Sequence, residues 1–218
     1  MAGPAEVSGP LTASIMRRAP TQRRSRERFE AILACARELL VEKGSDAFRM
    51  SDIVERTGIP FGSLYQYFPD RTAVIATLAE RYNAVGRECV ARELKAIQGP
   101  DDLHAALCRI TDGFLRMYRR EPAMVALWDA TRADPRLQAL DREDCEHLAG
   151  LLNEAMRPHY RGKADALERF TRLVLTLIGA AVRYAITLED RDARRTLAQF
   201  KAMLPDRVPV DREPLHEG

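Results

Sequence analysis

The sequence lacks any paired cysteines. Cys35, Cys89, Cys108 and Cys145 stand far apart and make no C-x-x-C pair. That argues against a zinc ribbon or a disulfide framework and fits reduced thiols in a cytoplasmic protein. There is no long apolar run either. The stretch from Leu173 to Val182 is the most apolar and falls far short of the roughly 20 residues of a membrane helix, so no membrane association is expected. The first residues, interrupted by Pro4 and Pro10, lack the apolar centre of a secretory signal. Alternating β-branched runs are missing, so strands are not expected. No G-x-S-x-G, glycine-rich phosphate loop or H-E-x-x-H occurs, which leaves no expected enzyme, metal or cofactor. His147 lies near Cys145 and Asp144, but neighbouring side chains on a helix diverge. Charge is nearly balanced, with 34 Lys and Arg against 32 Asp and Glu, so bulk charge does not mark a partner.

What is present is helical. At 46% hydrophobic and 30% charged residues, the chain has a globular balance. Residues 1–20, rich in Gly, Pro, Ala and Ser, read as a disordered arm. Between Ile15 and Arg28 six arginines (Arg17, Arg18, Arg23, Arg24, Arg26, Arg28) face one acid, Glu27. Such a basic arm can grip phosphate, or stay a solvated leader. Phe29, Ile32, Leu33, Ala36, Leu39 and Leu40 recur at helical spacing and predict a first helix over 21–43, stopped by Gly44. Short helices follow over 51–57, where Ser51 can cap, and over 60–68, after the turn Thr57-Gly58-Ile59. Longer helices are predicted over 71–97, 101–119, 122–132, 135–157, 163–188 and 190–203, and a flexible tail over 205–218. The expected fold is all-α.

Two short helices around a glycine turn make a helix-turn-helix, whose second helix enters the major groove. On that helix Leu64 and Phe68 are expected to pack inward, and Gly62, Ser63, Gln66 and Tyr67 to face out. Ser63 and Gln66 can bond base edges, and tyrosine hydroxyls typically hold phosphate. The stretch from Gly44 to Arg71, above all Gly62-Ser63-Leu64-Tyr65-Gln66-Tyr67-Phe68 followed by Pro69-Asp70-Arg71, resembles the DNA-binding signature of TetR-type (TetR/AcrR) transcriptional regulators. The motif covers roughly residues 26–75. The sequence departs from the family at Arg49, where a threonine or serine is common, and at Ser45, where an aromatic is common and Phe48 can supply the packing.

The resemblance implies a helix-turn-helix domain over 21–70 and a larger ligand-binding and dimerisation domain over 71–204. It implies base reading by Phe61, Gly62, Ser63 and Gln66, and phosphate contacts by Tyr65, Tyr67, Arg71 and Ser51. Periodicity leaves alternatives open. Tyr65 lies near the inward side, Phe61 groups with Leu64 and Phe68 unless it touches a thymine methyl, and Arg71 can be a plain surface charge. The penultimate helix, with Phe170, Leu173, Val174, Leu177, Ile178, Ala181 and Ala185, is expected to form a homodimer interface. Phe114, Met117, Tyr118, Met124, Trp128, Leu151 and Met156 are candidates for lining a pocket for a small hydrophobic or aromatic effector, although such residues equally fill cores. The implied function is a repressor that binds a palindromic operator in double-stranded DNA as a dimer and is released by its effector, with the fourth helix as lever. An activator, or an architectural DNA binder without sequence preference, are the competing readings.

Overall fold

A computed structural model describes residues 23–209, so residues 1–22, with Arg17 and Arg18 of the basic arm, and residues 210–218 lie outside the described part. Every regular element among the described residues is helical. We number the helices α1 (Arg23–Ala47), α2 (Met50–Thr57), α3 (Phe61–Tyr67), α4 (Arg71–Leu94), α5 (Leu103–Arg120), α6 (Ala123–Ala133), α7 (Pro135–Met156), α8 (Ala164–Ala185) and α9 (Asp190–Met203). Short 3-10 turns occupy Pro100–Asp102 and Arg157–His159. None of the described helices is long and apolar enough to cross a membrane.

The boundaries follow local chemistry. The helical run of α1 is broken at Gly44, whose φ of 74° is reached cheaply only by a residue without Cβ. The second helix starts at Met50, two residues earlier than a Ser51 cap would place it. Arg49 is the N-cap residue, and its amide donates to the Asp52 carboxylate at 2.8 Å. Asp52 also receives Lys43 at 3.0 Å. The Lys43 ammonium and the Arg49 amide hold its carboxyl below the usual carboxylate range. Asp70 caps α4 by accepting the Ala73 amide at 2.8 Å.

The chain forms two compact units. Among the described residues, the first runs up to Val85 and then takes Glu121–Glu143; the second takes Gly86–Arg120 and the residues from Asp144 onward. In the first unit α6 packs along α1, and Leu127, Ala130, Leu137 and Leu140 share one core with the buried face of α1 and with Ile53, Leu64 and Phe68. All six residues of the predicted α1 stripe are buried. Phe48 is fully buried, which supplies the packing that Ser45 cannot. Tyr82 donates to Glu121 at 3.0 Å; burial and this bond push its phenol up to about 12.

In the second unit α5, α8 and α9 pack on one another. Lys201 on α9 meets Asp112 on α5 at 2.9 Å. The chain after α9 does not leave the unit at once: Leu204 and Val208 are buried in its core, and Tyr160 donates to the carbonyl of Pro209 at 3.3 Å. Within the stretch expected as a flexible tail, Val208 is thus buried, while Asp206, Arg207 and Pro209 remain exposed. Helices α4 and α5 approach closely where Gly113 faces Cys89. A Cβ at position 113 would sit 2.7 Å from the Cys89 sulfur. Gly113→Ala is expected to lower stability by about 1–3 kcal/mol through overpacking. Adding Cys89→Ala should recover most of that loss in a thermal melt followed by far-UV circular dichroism. Equal losses in both backgrounds would rule this contact out as the cause.

Candidate nucleic-acid interface

Helices α2 and α3 form the helix-turn-helix. Gly58 closes α2 in the left-handed conformation at φ 68°, and its amide bonds the carbonyl of Val54 at 2.9 Å. Thr57 stiffens the turn: its hydroxyl donates to the Ile53 carbonyl at 2.6 Å and accepts the Ile59 amide at 3.2 Å. Pro60 fixes the entry to α3, and its carbonyl accepts the amides of Ser63 and Leu64 at 2.9 and 3.0 Å. Arg56 on α2 forms a two-pronged pair with Glu42 on α1 at 2.8 and 2.6 Å. These bonds fix α3 against α1 without using its outer face.

That outer face carries Phe61, Gly62, Tyr65 and Gln66, all exposed, with Ser63 half-buried. Leu64 is fully buried and anchors the helix. Phe61 and Tyr65, one turn apart, stack with ring centroids 6.1 Å apart and planes at 17°. Periodicity grouped Phe61 with the inward residues and put Tyr65 near them; both instead stand outside, 46% and 40% exposed. A Cβ at Gly62 would meet nothing within 4 Å. No packing inside the protein demands a glycine there, and the bare backbone leaves room for an incoming surface. Ser51 is exposed on the first turn of α2.

Two expected outward or phosphate-holding residues are placed differently. Tyr67 is buried rather than outward. Its hydroxyl lies 2.7 Å from the Ser25 hydroxyl, and its ring meets Phe29 edge-on at 5.9 Å. The reason is geometric: Tyr67 follows Leu64 by three residues and shares its face. Phe68 leaves the helix with extended backbone yet is also fully buried, so both aromatics enter the core. Arg71 turns back onto the protein. Its Nη1 donates to the carbonyls of Ser45, Asp46 and Phe48 at 2.6, 3.2 and 3.4 Å. It thereby satisfies backbone left open around the break in α1. Sequence spacing gave no signal for the Ser25–Tyr67 or Arg71–Ser45 contacts, which join distant positions.

Tyr67→Phe is expected to cost about 1 kcal/mol of stability, the usual worth of one such hydrogen bond. Ser25→Ala should cost a similar amount, and the pair should be non-additive. Affinity for DNA should stay within about twofold of wild type in Tyr67→Phe under conditions where the variant is folded. A loss of about tenfold, uniform across DNA sequences, would reveal a phosphate contact instead.

Four arm arginines fall within the described part. Arg23, Arg24, Arg26 and Arg28 are exposed on the first turns of α1, with Arg23 paired to Glu27 at 2.9 Å.

The candidate effector residues divide between the units. Met124, buried, and Trp128, half-buried beneath the Arg132 guanidinium, belong to the first. Phe114, Met117, Tyr118 and Leu151 are half-buried in the second, where Met156 is fully enclosed in core. There Phe114 and Met117 lie over Gly86, whose Cβ would sit 3.6 and 3.7 Å from them.

On α8 the apolar face is two faces. Val174 is 4% exposed and Ile178 and Ala185 are fully buried. Val174 therefore fills its own chain's core and does not face a partner. Phe170 and Ala181 are half-buried against that core. Leu173 and Leu177 stand out at 60% and 48% exposure, and Tyr184, not foreseen, joins them at 58%.

Residues 32–78 match the family model described as bacterial regulatory proteins, tetR family, and residues 101–207 match the tetracyclin repressor-like C-terminal domain. The chain is 38% identical over 168 residues to the HTH-type transcriptional regulator YvdT of Bacillus subtilis (strain 168), covering 75% of this chain and 85% of that protein. Among solved structures, a TetR-family transcriptional regulator from Pectobacterium atrosepticum superposes with a TM-score of 0.64 at 22% identity, covering 88% of this chain and 100% of that one. A transcriptional regulator from Saccharomonospora viridis, solved in complex with choline, superposes with a TM-score of 0.57 at 16% identity, covering 82% and 97%. With its glycine-turn helix pair and wholly helical second unit, the chain belongs to the TetR family and is a DNA-binding transcriptional regulator.

Proposed function

We propose that this regulator is a repressor that binds a palindromic operator as a homodimer and is released by a small, mostly hydrophobic or aromatic effector. The observation that carries the reading is the exposed stripe on α8. Leu173, Leu177, Ala180 and Tyr184 follow one another at intervals of four, three and four residues, and all are exposed. That is the 3.5-residue spacing of a seam that packs on another helix. Met203, 79% exposed on α9, adds apolar surface. A second copy of the chain is the partner that such a seam fits, since paired recognition helices a DNA turn apart read a two-fold site.

In this reading Ser51, Tyr65 and the α1 arginines hold phosphate, and Phe61, Gly62, Ser63 and Gln66 face base edges. Arg71 and Tyr67 position α3 from behind. Phe114, Met117, Tyr118 and Leu151 in the second unit are candidates for effector contact, Met124 and Trp128 are separate candidates in the first, and the Saccharomonospora viridis regulator, solved in complex with choline, supports a small-molecule effector. The effector acts by preferring a conformation with weaker DNA affinity, so DNA must weaken effector binding by the same factor. A regulator of this kind works in the cytoplasm.

The test is selection of bound fragments from the source genome, followed by anisotropy titration at several salt concentrations. A short palindrome bound at least roughly a thousandfold tighter than random DNA supports the reading. Equal, steeply salt-dependent binding to every fragment overturns it. Reporter expression that rises on deletion of the regulator distinguishes repressor from activator.

A further inference from the structure

We infer that Phe61 and Tyr65 act as one stacked apolar unit that reads the 5-methyl group of thymine in each operator half-site. This rests on the operator binding proposed above and adds the chemical feature that is read. The pair is an anomaly on its helix. Of the large side chains of α3, Leu64 and Tyr67 are buried, whereas Phe61 and Tyr65 are exposed and touch each other. Leu64 already anchors the helix, so the fold does not require an aromatic at position 61. Exposed Val41 and Val85 are scattered singly on the surface and need no such explanation.

Chemistry narrows the target. A phenyl ring can neither donate nor accept a conventional hydrogen bond. In the major groove the one base feature it can sense by contact is the thymine methyl, because the other marks are donors and acceptors. Gly62, with open space where a Cβ would stand, and the exposed polar Gln66 lie on the same short helix, so base edges near the ring remain available to hydrogen bonding. Tyr65 is a positioning residue. Stacking at 17° restricts where the Phe61 ring can stand, and a ring held in one place distinguishes methyl from hydrogen better than a mobile one. The same logic extends to 5-methylcytosine, which carries its methyl on the same ring carbon. Cytosine methylation at the position read should therefore strengthen binding.

The experiment uses the full-length protein and its selected operator, with each thymine replaced in turn, symmetrically in both half-sites, by deoxyuridine. Only the methyl is lost. Removing one buried methyl costs roughly four-fold in affinity, and two per dimer roughly fifteen-fold. One thymine position is expected to show this loss with the wild-type protein. Phe61→Ser should bind the thymine and uracil operators equally. Tyr65→Ala should shrink the ratio, whereas Tyr65→Phe should keep it even if overall affinity falls. At that position 5-methylcytosine should bind more tightly than cytosine. A specific operator whose affinity ignores uracil at every thymine overturns this inference and leaves the operator reading standing. So does a uracil penalty that persists undiminished in Phe61→Ser. Failure to select any specific sequence overturns both.

Discussion

A chain carrying Leu173→Glu and Leu177→Glu is expected to sediment as a folded monomer and to lose roughly a hundredfold or more of its operator affinity. Both leucines are largely exposed in the single chain, so the exchange costs the protomer little by itself. In a two-fold dimer each glutamate would be buried near its symmetry mate, where unpaired charge is strongly disfavoured. With the link broken, the second recognition helix no longer benefits from the first, and that advantage is about 10²–10⁴ for tethered sites. Val174→Glu is the informative contrast. It lies one residue from Leu173 but inside the chain's own core, so it should unfold the second unit rather than separate subunits. Analytical ultracentrifugation with circular dichroism distinguishes the two results. A Leu173→Glu, Leu177→Glu protein that remains dimeric would move the interface to another surface.

Phe68→Ala should destabilise the first unit by about 3–5 kcal/mol, the range for removing a buried phenyl ring. Phe68 is fully buried and stacks on Phe29 with centroids 5.1 Å apart. Phe29 in turn meets Tyr67 and lies beneath the Arg81 guanidinium at 5.7 Å. Loss of the ring therefore loosens the seat of α3 on α1 from below. The chain offers a selective probe: its one tryptophan, Trp128, lies in the first unit. Denaturation followed by Trp128 fluorescence should shift strongly, while total helix content retains a component at the wild-type position from the second unit. A loss under about 1 kcal/mol would mean that the neighbouring side chains collapse into the space.

Most helix positions were legible because glycine, proline and apolar spacing each act locally. Gly58, Pro69 and the Asp134-Pro135 pair mark ends that the structure keeps. The recognition helix was legible as an element but only partly as a surface. Gly62 and Gln66 are exposed as the spacing predicts, and Phe61 is exposed although the spacing groups it with Leu64 and Phe68. Tyr67 is not exposed, because position 67 follows Leu64 by three residues and shares its face, whereas Phe68, four residues after Leu64, is buried as the spacing predicts. Arg71 shows a second limit. Its role depends on three carbonyls more than twenty residues earlier, and no local pattern announces where a long cation will turn. On α8 the sequence shows a broad apolar arc, but burial divides it between Val174 on one side and Leu173 with Tyr184 on the other. A hydrophobicity pattern counts apolar residues without saying which of two partners covers them.

The discontinuous chain path of the first unit bears on how such regulators can be recombined. Helix α6 is separated in sequence from α1 by the whole of α4 and α5, yet Leu127 and Ala130 complete the core beneath α1. A graft that moves the DNA-reading head onto a foreign sensor by joining at residue 85 would leave that core open. A workable exchange has two junctions, near 85/86 and 143/144, and carries residues 121–143 as well. Drift in operator preference through changes on the outer face of α3 faces no such obstacle, whereas wholesale exchange of sensors among relatives requires two coordinated crossovers.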